Sequence, residues 1–154
     1  MQPATRPSLQ ELLHAWREAD RVWEQTDVTE EAAYRRASGA VLESWLAYQE
    51  RVSDGRELLL IADDARRYVQ VRGAALAVIG YEPSEMVGRR VDDVTAAEYG
   101  DRVDEMWDTF RIKDRMDGEF LLERKDGSRV PVVFQARYHF PIPGLHFSRI
   151  RLAG

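Results

Sequence analysis

The sequence predicts an α+β fold, in which a pair of helices precedes a domain of five strands and several short helices. Two observations support this prediction. Apolar residues recur at helical spacing as far as Val52, and from Glu57 onward short apolar or alternating runs replace that pattern. We therefore divide the 154 residues into a flexible amino terminus at 1–7, a helical hairpin at 8–55 and a second domain at 56–154.

The composition excludes several functional classes. A net charge of −5 gives no attraction to nucleic acid or to an anionic membrane. The absence of cysteine excludes disulfides, thiolate nucleophiles and cysteine-ligated metals. No apolar run approaches the ~20 residues that span a bilayer, and the amino terminus lacks the apolar centre of a signal peptide. We expect a cytoplasmic protein that binds neither nucleic acid nor membrane.

The first helix is predicted to begin after Ser8, because Ser8 and Glu11 fit the capping-box pattern. Its apolar side chains fall at helical spacing: Leu9, Leu12, Leu13, Trp16 and Trp23. Thr29, followed by two glutamates, is predicted to cap a second helix that ends near Gly55. The stripe of this helix comprises Ala33, Ala37, Val41, Trp45, Tyr48 and Val52. These two segments predict a hairpin.

The second domain begins with two predicted strands, a buried run at 58–61 and an alternating run at 68–71, joined by a turn at Asp63-Asp64. Short helices follow at 73–79 and after Glu82-Pro83, each closed by a glycine, and a further turn at 91–94. The longest helix of this part is predicted from Ala96 to about Ile112. Its inner stripe contains Tyr99, Val103, Met106, Trp107 and Phe110.

Three predicted strands complete the chain, at 118–124, 129–140 and 145–152. The hairpin turn between the first two is Lys125-Asp126-Gly127-Ser128, in which glycine accepts a positive φ at little cost. One face of the second strand carries Val130, Val132, Phe134, Ala136, Tyr138 and Phe140. Pro141 to Gly144 forms the last turn.

Three segments in this order resemble the PAS domain family: Gly73 to Tyr81, Glu82 to Arg89, and Gly118 to Val130 with its Lys-Asp-Gly turn. The resemblance covers the chain from Leu58 onward. It implies a five-stranded antiparallel sheet whose one face is covered by short helices, with a pocket between helices and sheet. Members of this family hold small molecules or mediate partner contacts and seldom catalyse reactions, so the resemblance implies no enzyme.

The sequence departs from the family pattern at one corner. Many PAS domains carry asparagine where the second strand meets the first short helix, and here Arg72-Gly73 stands at that place. Arginine has no acceptor for a backbone N–H, so the helix must begin without that cap.

The resemblance also bears on cofactors. The flavin photocycle of this family uses a cysteine beside the ring, and this chain has none. Haem-binding members take a histidine from the long helix, and residues 96–115 contain none, so haem held in that way is not expected. Flavin bound without a covalent bond has no supporting residue, and the identity of any cofactor stays open.

The resemblance implies a small, mostly apolar organic ligand between the long helix and the sheet. We expect it to contact Tyr99, Val103, Met106, Trp107 and Phe110. His146 and Ser148 share one face of the last strand and would supply a neutral donor and acceptor. An aromatic stripe that is simply core, and a histidine satisfied within the sheet, are the alternatives.

Other polar residues fit structural roles better than catalytic or metal-binding ones. His14 is predicted to face solvent or an interface, and His139 lies opposite the apolar face of its strand. The pairs Asp63-Asp64 and Asp92-Asp93 sit at turns, where aspartate accepts backbone hydrogen bonds. Arg89-Arg90 is read as a solvated loop pair. No catalytic residue and no metal-ligand set is predicted.

A two-helix hairpin cannot bury such apolar stripes alone, and helices that precede PAS domains often form dimer interfaces. We therefore expect a homodimer through Leu12, Trp16, Trp23 and Trp45. The first functional hypothesis is a PAS-type sensory module that signals through its dimer or a separate effector protein. The alternative is an interaction or dimerisation module whose core is filled by side chains. A third is an enzyme with a cone-shaped α+β barrel that uses His139 or His146 with a carboxylate.

Overall fold

The structure is a computed structural model that describes residues 6–154. The flexible segment predicted at 1–7 falls mostly on residues 1–5, which lie outside the described residues. The chain forms two compact units, one ending at Ser53 and the other beginning at Asp54. Within the described part, no helix combines the length and apolar character that crossing a membrane requires.

The first unit is the predicted hairpin of two helices, which the structure confirms: α1 at Leu9–Glu24 and α2 at Glu31–Ser53. The Ser8 hydroxyl accepts the Glu11 backbone N–H at 3.1 Å, so Ser8 is the N-cap of α1. Thr29 does not cap α2, because Asp27 accepts both its N–H and its hydroxyl hydrogen in a tight turn. The second helix consequently begins two residues after Thr29.

Aromatic contacts join the two helices. The rings of Trp16 and Trp45 lie 4.7 Å apart between centroids, which is within the range of favourable aromatic pairs. The indole N–H of Trp23 donates to the Ser38 hydroxyl at 3.1 Å, and its ring lies 6.0 Å from that of Tyr34. Three of the four tryptophans therefore contribute to packing inside the hairpin.

The second unit is built on one sheet with the strand order β2-β1-β5-β4-β3, in which all four neighbouring pairs are antiparallel. This confirms the predicted fold class. The strands are β1 at Leu58–Asp63, β2 at Tyr68–Gly73, β3 at Arg115–Glu123, β4 at Arg129–Arg137 and β5 at Leu145–Leu152.

Short helices connect β2 to β3 and pack on one face of the sheet. The predicted helix from Ala96 to Ile112 is divided: a 3-10 helix ends at Arg102 and α5 begins at Val103. Gly100 lies in the 3-10 turn, and glycine is a poor helix former. The connecting elements are α3 at Ala75–Ile79, α4 at Pro83–Met86, 3-10 helices at Val91–Val94 and Ala97–Arg102, and α5 at Val103–Lys113.

Strand β2 contains an irregularity that the simple alternation of its sequence does not predict. Ile61 pairs with Gln70, but the next residue of β1, Ala62, pairs with Tyr68, so Val69 is bulged. An extra residue reverses the facing of the side chains beyond it. Tyr68 and Val71, three residues apart, consequently both belong to the buried core.

The corner at Arg72-Gly73 is formed by glycine and backbone. Gly73 has a φ of +79°, and a Cβ there would lie 2.2 Å from the carbonyl oxygen of Glu57. Helix α3 has no side-chain cap, as expected from the arginine, and the Ala74 N–H instead donates to that same carbonyl at 2.9 Å. Close approach of two backbones explains the glycine.

Strand β4 ends at Arg137, three residues before the prediction. His139 has a φ of +52°, which takes the chain out of the extended conformation. The alternation through Phe140 therefore does not continue as a strand, and residues 138–144 form a turn that returns the chain to β5. This change brings His139 beside the first residues of β5.

Candidate ligand cavity

A cavity lies between α5 and the inner face of the sheet. The space that the centre of a water molecule can occupy inside it is about 90 Å³, several times the minimum for one water. Small residues on three adjacent strands form part of its wall, namely Ala62, Ser148 and Ala136. Ser148 pairs directly with Ala136 across β5 and β4. Short side chains at these positions leave space that larger residues would fill.

Most of the remaining wall is aromatic or carries methionine. Phe120 and Phe134 meet edge to face with centroids 6.3 Å apart, and the other residues are aliphatic. Such a lining suits an apolar ligand of small size, since buried aromatic and thioether groups offer dispersion contacts. The large side chains of the wall are Tyr68, Val91, Met106, Trp107, Phe110, Met116, Phe120, Leu122, Val132, Phe134, Phe147 and Ile150.

Five of the seven residues predicted to contact a ligand line this cavity: Met106, Trp107, Phe110, His146 and Ser148. Tyr99 and Val103 do not. Tyr99 lies in the 3-10 helix before α5, with its ring 5.2 Å from that of Phe120 and the Arg102 guanidinium over it. Val103 is buried at the start of α5. The division of the predicted helix accounts for Tyr99, because it changes the facing of the residues before Val103.

Tyr68 lines the cavity, although it is not among the residues that the sequence predicts to contact a ligand. Its side chain is buried. The bulge at Val69 is the reason for its inward direction, and no residue pattern in the sequence indicates that bulge. Burial, with smaller contributions from the negative charges of Asp92 and Asp93, raises the pKa of the Tyr68 phenol, which therefore keeps its proton.

One end of the cavity wall is an aromatic cluster around His146. The imidazole stacks on the Tyr138 ring at 3.8 Å between centroids, with an angle of 11° between the planes. Trp107 and Phe110 meet the same imidazole edge to face, at 5.4 and 6.2 Å. These rings occupy the space that a larger ligand would need.

Both ring nitrogens of His146 are engaged by protein groups. Nδ1 accepts the backbone N–H of His139 at 2.9 Å, and Nε2 lies 2.8 Å from Oδ1 of Asp64. Because Nδ1 is an acceptor, the neutral ring carries its proton on Nε2 and donates it to Asp64. A ligand in the cavity would therefore contact the carbon atoms of the His146 ring and not a free ring nitrogen.

Asp64, His139 and His146 each place one ligand-type atom within 4.8 Å of the others, which is a spacing that would suit a metal ion. The hydrogen bonds oppose that role. Nδ1 of His139 accepts the N–H of Gly144 at 2.8 Å, as Nδ1 of His146 accepts that of His139. Each neutral ring must then carry its proton on Nε2, so neither Nε2 has a lone pair for a metal. The cluster holds the 138–144 turn in place.

The same hydrogen bonds bear on the hypothesis of an enzyme. A histidine and a carboxylate do meet beside the cavity, as that hypothesis requires. However, a general base needs an imidazole nitrogen within reach of the substrate, and both nitrogens of His146 face protein groups. The sheet is also an open one with two edge strands, β2 and β3, and not a closed barrel.

The remaining polar candidates take part in local structure. Asp63 accepts the N–H groups of Ala65 and Arg67 in the turn after β1. Asp93 accepts the N–H of Arg90, and Arg89 donates to the Glu85 carbonyl. His14 is exposed on α1. The two arginines and the acids of these loops therefore lie outside the cavity wall.

Comparison with known proteins gives the fold a name. No protein-family model matches the sequence, and no curated protein matches it. Solved structures do match: a PAS domain of a protein from Colwellia psychrerythraea, with a TM-score of 0.58 and 12% identity, covers 70% of this chain and 97% of its own. A PAS domain of an HTR-like protein from Haloarcula marismortui has a TM-score of 0.58 and 19% identity, over 77% and 99% of the two chains.

A third structure is the PAS domain of a LuxR-family transcriptional regulator from Burkholderia thailandensis, described as a complex with ethanol. It has a TM-score of 0.53 and 11% identity, over 62% of this chain and 88% of its own. At sequence identities of 12%, 19% and 11%, these three matches establish similarity of fold alone. The chain therefore contains a PAS fold, which a two-helix hairpin precedes in the sequence.

Proposed function

We propose that this chain is a sensory module whose cavity binds a small, mostly apolar organic molecule. The observation that supports this proposal is the cavity between α5 and the sheet, which is lined by aromatic, aliphatic and methionine side chains. A structural neighbour with the same fold is described in complex with ethanol, which supports a ligand of small size. The histidine of the cavity wall, His146, has both ring nitrogens engaged by protein groups, so binding is the function that the geometry favours.

Dimerisation is the second part of the proposal. The 16 residues of α1 include none that is buried. Trp16, Trp23 and Trp45 pack within the hairpin. Beside them runs a stripe with the spacing 3, 4, 3, which is the repeat of helix pairs. It comprises Leu12, Ala15, Ala19 and Val22. We propose that a second copy of this chain covers that stripe, and that the ligand signal reaches a separate effector protein.

One observation favours the alternative of an interaction module without a ligand. The cluster of Trp107, Phe110, Tyr138 and His146 already fills part of the interior through ring contacts. In that case the remaining space is a packing defect, and changes in the cavity alter stability alone.

The test is to extract purified protein with organic solvent and identify released compounds by mass spectrometry. In parallel, the protein is titrated with small alicyclic molecules and the backbone amides are followed by NMR. We expect a bound compound, or shifts confined to α5 and the inner face of the sheet. The ligand hypothesis is contradicted if the protein releases no compound and no probe shifts these amides at millimolar concentration. That result would favour an interaction module whose interior is filled by side chains.

A further inference from the structure

The Tyr68 hydroxyl lacks a protein partner within the part of the chain that the structure describes, residues 6–154. The side chain is buried, at 4% exposure, and lines the cavity. A buried phenol ordinarily finds a hydrogen-bond partner, because burying an unpaired hydroxyl costs free energy. The Tyr68 hydroxyl is not one of the fully enclosed unpartnered atoms among the described residues, so a molecule held in the cavity that Tyr68 lines can reach it and accept its hydrogen.

Pairing with β1 and hydrogen bonds to the loop after α4 hold the backbone of Tyr68 in place. The Tyr68 N–H donates to the Arg89 carbonyl and its own carbonyl accepts from Gly88, each within 3 Å. Ala62 lies directly beside it on β1, and both residues line the cavity. The bulge at Val69 then holds the ring on the inner face.

The charges near this end of the cavity restrict what the phenol can meet. Burial, together with Asp92 and Asp93, raises the pKa of Tyr68, so the group is a protonated donor. Arg66 and Arg90 approach Asp92 at 3.1 and 3.8 Å, and Arg66 also pairs with Asp104, yet the negative charge of Asp92 still acts on the phenol and raises its pKa. Carboxylates close to the phenol disfavour a second anion there. The group that Tyr68 meets should therefore be a neutral acceptor.

The rest of the wall limits the polarity of the ligand. Among the described residues, Ser148 provides the other hydroxyl of the wall, and both nitrogens of His146 are engaged elsewhere. The remaining surface is hydrocarbon, aromatic or thioether. A molecule with several polar groups would leave some of them unpaired in this environment.

We infer that the cavity selects a small neutral molecule with one oxygen acceptor, a carbonyl or hydroxyl on a hydrocarbon body, and that the Tyr68 hydroxyl donates to this oxygen. This inference rests on the proposed function, which it makes more specific. The ligand class is a neutral molecule with one oxygen acceptor, and Tyr68 is the residue that recognises this oxygen.

The test uses two probes of nearly equal shape. Cyclohexanone and methylenecyclohexane differ in one position, where an oxygen acceptor replaces a methylene group. Both are titrated into the wild-type protein and into Tyr68→Phe, and dissociation constants are obtained from amide shifts. The wild-type protein should prefer the ketone, and Tyr68→Phe should lower the ketone-to-alkene affinity ratio by about 3–10-fold, the range for one hydrogen bond.

Tyr81→Phe is the matched control, because Tyr81 is absent from the cavity wall and lies under the Arg89 guanidinium. It should leave the affinity ratio unchanged. Retained binding of methylenecyclohexane by Tyr68→Phe shows that the cavity survives the substitution. The anion cyclohexanecarboxylate should bind far more weakly than the ketone.

The outcomes separate the two ideas. An affinity ratio that is the same in wild-type protein and Tyr68→Phe would overturn the role of Tyr68, while leaving a ligand-binding cavity. Binding of the carboxylate as tightly as the ketone would overturn the neutral ligand class. If neither neutral probe binds the wild-type protein, the proposed function itself fails, and this inference fails with it.

Discussion

The backbone N–H of His139 donates to Nδ1 of His146 across the turn that joins β4 to β5. This single contact assigns the proton of the neutral His146 ring to Nε2, where Asp64 accepts it. It also links the backbone of the turn to a side chain in the cavity wall. Protonation of His146 on Nδ1 would remove the acceptor that holds His139.

The first prediction concerns pH. Burial lowers the pKa of His146 in the folded protein, and the Asp64 carboxylate opposes this shift only in part. His139 lowers the same pKa further and Asp63 raises it. A histidine with a depressed pKa binds protons more readily in the unfolded chain, so stability is complete above the unfolded pKa of about 6.5 and falls as the pH drops through the folded value.

We therefore expect the free energy of unfolding to decrease between about pH 7.5 and about pH 5.5, by about 1.4 kcal/mol for each unit by which the pKa is lowered. Denaturant unfolding at the two pH values measures this. His146→Phe keeps the stack on Tyr138 but removes both hydrogen bonds. This variant should lose about 1–3 kcal/mol at neutral pH and show a weaker pH dependence. An unchanged pH dependence would assign the effect to another group.

The second prediction concerns Gly73. Alanine at this position would require a positive φ and would place its Cβ against the Glu57 carbonyl. We expect Gly73→Ala to lower the free energy of unfolding by about 2–4 kcal/mol. Gly118→Ala is the control in the same sheet, because Gly118 has no positive φ and its nearest contact is an ordinary 3.8 Å. It should change stability by less than about 1 kcal/mol. Equal losses in both variants would contradict the close approach at Gly73.

The third prediction concerns the cavity volume. Ala136 lies on the wall beside Ser148, and Ala136→Leu should fill the space without unfolding the protein. We expect this variant to lose binding of cyclohexanone by more than about 10-fold, since its added methyl groups occupy the place of the ligand. Gln135→Leu adds an apolar side chain at the neighbouring, exposed position and should bind as the wild-type protein does. Retained affinity in Ala136→Leu would show that the probe binds elsewhere.

The fourth prediction concerns self-association. Val22, 46% exposed, is at the end of the stripe on α1 that we assign to a second copy. Val22→Glu would bury an unpaired charge in that interface, so it should weaken the dimer by at least about 10-fold. Val28, 70% exposed in the turn between the helices, provides the control as Val28→Glu. Light scattering over micromolar concentrations distinguishes them. A wild-type protein that is monomeric throughout this range would exclude the dimer.

Much of the fold was predictable because it depends on local patterns. Helical spacing of apolar residues, the cap at Ser8 and the Lys125–Ser128 turn are interactions between residues close in the chain. The order of strands and short helices follows from the same signals. One error arose where residues distant in sequence decide the conformation: β4 ends early at Arg137, and the next residue, Tyr138, donates its N–H to the Asp114 carbonyl. The break between Arg102 and Val103 has a local cause, since Gly100 is a poor helix former.

The site was predictable only in part. The stripe on α5 and the inner face of β5 placed Met106, Trp107, Phe110, His146 and Ser148 beside the cavity. The sequence could not indicate that the nitrogens of His146 are engaged, because their partners come from Asp64 and from the backbone of a turn. Nor could it select Tyr68, whose inward direction depends on a bulge.

The amino-acid sequence alone determined an α+β chain with a leading pair of helices, five strands and an apolar interior, since short-range spacing and capping define those features. Tertiary structure decided which hydroxyl faces the cavity, which imidazole nitrogen carries the proton and how much space is left between α5 and the sheet. The physical reason is that strand pairing and its one bulge bring Tyr68, Ala62 and His146 side by side, and no spacing along the chain encodes that neighbourhood.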